Sequence, residues 1–149
     1  MKVIFLDFDG IITNVSSEFQ IIPKKLEFIK TILDTTGAKI VLTTDWRTYD
    51  LQTTLKFIES AGFTLNDYVI DMVDRLWITS TKTNEFIPNV YRGIEIDYWL
   101  NTHSVKNFVI VDDMPNMLLN YQSSNTVVIN PDYGITRKDV DKIIKILNG

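Results

Sequence analysis

Apolar residues along this chain follow two rhythms. Short, nearly continuous runs rich in Val and Ile ("KVIFLDF", "KIVLTT", "NFVIVDD" and "TVVIN") predict strands covered on both faces. Between them, apolar positions recur three and four residues apart. In "IIPKKLEFIKTILDTTG", Leu26, Ile29, Ile32 and Leu33 share one helical face, with Pro23 suited to the first turn and Gly37 to the stop. "YDLQTTLKFIESAG" repeats the scheme with Leu51, Leu55, Ile58 and Gly62, and "RKDVDKIIKILNG" with Val140, Ile143, Ile144 and Leu147. "GIEIDYWLN" and "MPNMLLNYQ" predict two shorter helices. Strands alternating with helices predict an α/β fold built on a mainly parallel sheet with right-handed crossovers.

In such sheets ligands collect at the carboxyl ends of the strands. Here the first strand ends in Asp7 and Asp9, the second in Thr43, Thr44 and Asp45, and a later one in Asp112 and Asp113. Any one of these residues alone reads as a turn former or helix cap. Four carboxylates delivered by two strand ends to one edge is a different matter. They repel each other unless something positive lies among them.

Composition narrows the setting. The 149 residues suffice for one domain, 1–149, and the 45% hydrophobic and 23% charged content is that of a folded globular protein. No apolar run is long enough to cross a bilayer. The opening "MKVIFLDFDG" lacks a small-residue cleavage site and reads as the first strand. Zero cysteines exclude disulfides, thiolate zinc sites and a cysteine nucleophile, and point to a cytoplasmic protein. A net charge of −4 gives no overall attraction to nucleic acid or anionic membrane. No membrane and no stable protein partner is implied.

A hard cation with oxygen ligands answers the repulsion, and with few dedicated ligands that cation is Mg2+, which commonly also meets a substrate phosphate. A carboxylate beside it can attack phosphorus and form an aspartyl phosphate. A second acid two residues on can trade protons with the leaving group. Gly10 lets the chain turn where a side chain would collide with the ligand.

These residues carry a resemblance. "FLDFDGIIT" resembles the first motif of the haloacid dehalogenase (HAD)-like phosphatase superfamily, "IVLTTDWR" the second and "FVIVDD" the fourth. "YRGIEIDYWL", "TTDWR" and "NPDYGIT" further resemble the small uncapped branch found as the HAD domain of Swiss Army Knife RNA repair proteins. The resemblance implies a three-layer α/β/α Rossmann-like fold with a central, mainly parallel sheet and no separate cap domain. It implies that Asp7 is the nucleophile, and that Asp9 is general acid/base and lends its backbone carbonyl to Mg2+. Asp112 and Asp113 would complete the metal site with Asp7 and Asp9. Thr44 would hold the phosphoryl oxygen, with Thr43 as the fallback. Arg92 would balance the aspartates and the phosphate, with Lys82 the runner-up.

Gly10, Thr43, Thr44, Trp46 and Arg47 are the expected substrate contacts, Trp46 lining the mouth of the site and Arg47 either capping a helix or touching substrate. Trp77 and Trp99 read as core, and His103 as a surface loop residue. Asn14 to Ile22 is too short for a cap, and residues 64–91 are expected to form at most a small flap. The expected activity is therefore Mg2+-dependent phosphohydrolysis through an aspartyl phosphate. The expected substrate is a phosphate on a nucleotide or a nucleic-acid end. The alternatives are a phosphatase of small phosphometabolites, or a non-enzymatic phospho-acceptor or binding module of the same fold. A signalling receiver fits less well, because its acidic pair comes early and its phosphorylated aspartate stands alone on a middle strand.

Overall fold

The computed structural model describes residues 1–76 and 91–149, with the backbone of residues 78–79 and 86–87 between them; Trp77 and Lys82 lie outside the described residues. The first apolar run forms β1 (Lys2–Leu6). It is followed by α1 (Pro23–Thr36), β2 (Lys39–Leu42), α2 (Leu51–Ser60), β3 (Val69–Met72), β4 (Ile78–Thr79) and β5 (Phe86–Ile87). Then come α3 (Arg92–Thr102), β6 (Asn107–Asp112), β7 (Thr126–Val128) and α4 (Arg137–Asn148). Pro23 opens α1, and Gly37 closes it by donating its amide to Leu33 O at 2.9 Å.

Five strands make one all-parallel sheet in the order β3-β2-β1-β6-β7, while β4 and β5 pair antiparallel by themselves. The architecture is the α/β class that the alternation predicts. Two local expectations change. The stretch "MPNMLLNYQ" forms short 3-10 turns at Pro115–Met117 and Asn120–Asn125, not a helix, because its apolar residues are too few to bury a helical face. The first part of the expected 64–91 flap belongs to the body of the domain. β3 pairs with β2, and Phe63, Leu65 and Val73 are buried.

Alternation along the strands divides the core in two. Ile4, Leu6, Ile40, Leu42, Val109 and Val111 face a cluster with α1, α2 and α4. Val3, Phe5, Val41 and Ile110 face the other way, onto Ile96 and Trp99 of α3. Every strand residue of both sets is buried, which explains the continuous apolar runs. The register is level at the carboxyl ends, with Leu6 opposite both Leu42 and Val111. The next residue on each strand is therefore Asp7, Thr43 or Asp112. Continuing the alternation puts all three on the α3 side.

Candidate active site

Asp7 begins the loop after β1, and its backbone still donates to Val111 O at 3.2 Å. Its carboxylate is nearly buried, and both oxygens are engaged. Oδ1 accepts the Phe8 amide at 2.8 Å, and Oδ2 lies 3.2 Å from Arg92 Nη1. Asp112 is fully buried at the end of β6, with Oδ2 accepting from Arg92 Nη1 at 2.7 Å and Oδ1 from the Met114 amide at 2.8 Å. One oxygen each of Asp7, Asp112 and Asp113 lie within 4.8 Å of one another.

Asp7 and Asp112 share the Arg92 guanidinium, and with Asp113 beside them the balance of the cluster stays negative. Burial, helped by Asp112 and Asp113, pushes the Asp7 carboxyl up to about 8 against the pull of Arg92 and the Phe8 amide. Burial and Asp112 likewise raise Asp113. Burial alone would lower the Arg92 pKa, but Asp7, Asp112 and Asp45 outweigh it and hold the guanidinium charged. An all-oxygen, electron-rich donor set with surplus negative charge suits a hard divalent cation such as Mg2+. The carboxylate of Asp9 is not part of this cluster. Its Oδ2 accepts from the indole Nε1 of Trp46 at 3.1 Å, and its Oδ1 is buried without a partner.

The two threonines divide differently from the expectation. Thr44 Oγ1 accepts the Trp46 amide at 3.1 Å, so this hydroxyl shapes the turn after β2. Thr43 Oγ1 is buried without a partner and lies on the Asp7 side by strand alternation. An orphaned buried hydroxyl beside the aspartates is the better candidate for a phosphoryl contact. Trp46, expected at the mouth, directs its N–H to Asp9 and packs edge-on against Phe8, with ring centroids 5.4 Å apart.

Arg47 also departs from the expected substrate contact. It is buried, and its nitrogens go to Thr44 O at 2.7 Å, Val73 O at 2.7 Å and Glu95 Oε1 at 3.2 Å. Glu95 Oε2 accepts the Leu76 amide at 3.0 Å. The pair ties the ends of β2 and β3 to α3, one turn from Arg92. Gly10 serves a neighbour within the chain. At φ +82°, a Cβ there would stand 2.6 Å from Asp113 Oδ2 and 3.0 Å from Pro131 Cβ. Gly93 allows an equally close approach, since its Cβ would meet Gln122 Oε1 at 2.6 Å and Leu119 N at 2.7 Å. Buried Gln122 donates to Gly93 O at 2.8 Å, which pins the start of α3 and so aims Arg92.

Sequence reasoning missed Glu95 and Gln122, and it placed Asp45 at the strand-end edge without a role; the structure makes it the third acid on Arg92, with Oδ1 3.3 Å from Nη2. The signal for Glu95 was present: it stands three residues after Arg92 in "RGIE" and so shares its helical face. Arg75 donates to Asp45 O at 2.7 Å, and beside it a groove of about 690 Å3 runs between Tyr49, Val73, Asp74 and Arg75. His103 closes α3 with its ring stacked on Trp99, centroids 3.8 Å apart. No helix among the described residues is long and apolar enough to cross a membrane.

Residues 3–140 match the family described as the HAD domain in Swiss Army Knife RNA repair proteins. No curated protein and no solved structure matches.

Proposed function

The chain belongs to the family of HAD domains in Swiss Army Knife RNA repair proteins, and from that premise we propose that it is a Mg2+-dependent phosphohydrolase working through an aspartyl phosphate on Asp7. The observation that carries the reading is the cluster of Asp7, Asp112 and Asp113, the first two paired with Arg92, beside the orphaned Thr43 hydroxyl. Asp7, Asp112 and Asp113 would hold Mg2+, with the Asp9 backbone carbonyl as the resemblance implies. An ion held by these residues would supply charge neutralisation at the phosphoryl oxygens.

The protein's own groups do the rest. Asp7 attacks phosphorus as the P–O bond to the leaving group breaks, and the Asp9 carboxyl gives that oxygen a proton. Asp9, now a carboxylate, takes a proton from water as that water attacks phosphorus. The P–O bond to Asp7 breaks, which frees inorganic phosphate and restores both acids. Arg92 opposes the charge of the transferring group, and Thr43 Oγ1 donates to one of its oxygens. The Phe8 amide and Arg92 hold the Asp7 carboxylate in one orientation throughout.

A terminal phosphate on a nucleotide or a nucleic-acid end is the substrate class that the family description favours. The net charge of −4 argues for contact with one or two nucleotides, not a long strand. The test compares kcat/KM for 3′- and 5′-phosphorylated oligonucleotides, mononucleotides and sugar phosphates, with Mg2+ and with EDTA. Hydrolysis that needs Mg2+, prefers a nucleotide or an end, and vanishes in folded Asp7→Asn is expected. Undiminished turnover by Asp7→Asn would remove the nucleophile, and a preference for sugar phosphates would remove the substrate class.

A further inference from the structure

The carboxylate of Asp9 stands outside the metal-suited cluster, and its two oxygens differ sharply. Oδ2 receives a single side-chain hydrogen bond, from Trp46 Nε1 at 3.1 Å, while Oδ1 is buried with no partner. A carboxylate held by one oxygen keeps its plane, and a fixed plane aims the group for proton exchange.

Trp46 is itself held on several sides. Its ring meets Phe8 edge-on at 5.4 Å and Phe57 at 6.0 Å, and its amide donates to Thr44 Oγ1 at 3.1 Å. Phe8 in turn stacks on buried Phe63, centroids 4.9 Å apart. The indole N–H therefore points at Asp9 from a fixed frame and not from a mobile side chain.

We propose that Trp46 is the positioning residue of Asp9: its indole N–H fixes Oδ2 and thereby sets the plane and orientation of the carboxyl group that exchanges a proton with the leaving-group oxygen and then with water. Thr44 acts one step further back, by setting the turn that carries Trp46. This rests on the phosphohydrolase reading for its kinetic consequence, but the hydrogen bond itself is testable without turnover.

The contact is read by the indole NMR resonance of Trp46, assigned by its disappearance in Trp46→Phe. In Asp9→Ala that resonance shifts upfield while the Trp99 indole, bonded to Asp71 at 2.8 Å, stays in place. The consequence is read by kcat/KM on two monoesters, one with an alkyl alcohol as leaving group and 4-nitrophenyl phosphate. Trp46→Phe lowers kcat/KM by about tenfold or more beyond its effect on the nitrophenyl ester when the departing alcohol needs Asp9's proton. The gap closes when Trp46→Phe is placed on Asp9→Asn. A Trp46 indole that Asp9→Ala does not move overturns the proposal, as does an equal fall on both esters or full additivity with Asp9→Asn. Absence of hydrolysis by the wild-type protein, with the resonance shift intact, fails the phosphohydrolase reading and leaves the positioning contact standing.

Discussion

Breaking the buried Arg47–Glu95 pair from one side should cost far more stability than replacing both partners. Glu95→Leu leaves a buried guanidinium with two neutral acceptors, Thr44 O and Val73 O, both at 2.7 Å. Removing one partner of a buried pair typically costs about 3–5 kcal/mol, and the two surviving carbonyl bonds place this case near the lower figure. Loss of the acceptor for the half-buried Leu76 amide adds about 1 kcal/mol, for about 4 kcal/mol in all. That is a large share of the roughly 5–15 kcal/mol that holds a domain folded. Arg47→Met strands Glu95 with one amide donor and should cost a similar amount. The double variant buries no lone charge, so it should be more stable than Glu95→Leu alone, with a coupling of about 2–3 kcal/mol between the sites. Equilibrium urea unfolding of the four proteins, followed by circular dichroism, gives the cycle provided the slopes agree. Additive losses, or single variants within about 1 kcal/mol of wild type, would refute the reasoning.

The remaining expectations concern the site itself. Thr43→Val should lower kcat/KM by about tenfold or more, while Thr44→Val should act more weakly and through the Trp46 turn; the reverse order in steady-state kinetics would return the phosphoryl contact to Thr44. Gly10→Ala combines an unfavourable positive φ with a Cβ 2.6 Å from Asp113 Oδ2, so the Mg2+ concentration for half-maximal activity should rise several-fold; an unchanged Mg2+ titration would dissociate Asp113 from the ion. Asp7 has a folded pKa of about 8 against an ordinary 3.8, so the native state holds a proton that the unfolded chain has lost between those values. Metal-free stability should therefore fall as pH rises through that window, by up to about 1.4 kcal/mol per pH unit for Asp7, and the fall should be shallower in Asp7→Asn, where Asp113 alone of the two keeps a raised pKa. Melting temperatures in EDTA from pH 5 to 8.5 test this, and parallel curves for the two proteins would contradict it.

What the sequence made legible follows from how local each signal is. The strands and long helices are written in apolar spacing, and Pro23 and Gly37 bracket α1 as their backbone preferences dictate. Arg92 was readable from its neighbours in "RGIE", and it does lie among Asp7, Asp45 and Asp112. The order of Thr43 and Thr44 was not readable, because it depends on which residue stands level with Asp7. That is set by the pairing of Leu6 with Leu42. Arg47, left open between a helix cap and a substrate contact, was undecided for a related reason. Its partner Glu95 is 48 residues away, and nothing local separates an arginine facing substrate from one clamped beneath the site. Trp46 likewise gave no local sign that its N–H would serve Asp9.

The clamp that joins Val73 and Leu76 to Glu95 has a consequence for how such a domain can change. The last residue before the 77–90 stretch is hydrogen-bonded to α3 only a few positions after that stretch ends. The two ends are thus moored to each other independently of what lies between them. Lengthening a segment whose ends are already moored adds only a logarithmic entropy cost. The candidate site acids Asp7 and Asp112 follow β1 and end β6 near the centre of the sheet, while Arg92 stands just past that junction, one turn before Glu95. Changes of length between residues 77 and 90 therefore fall between ends that the Arg47–Glu95 pair already holds together.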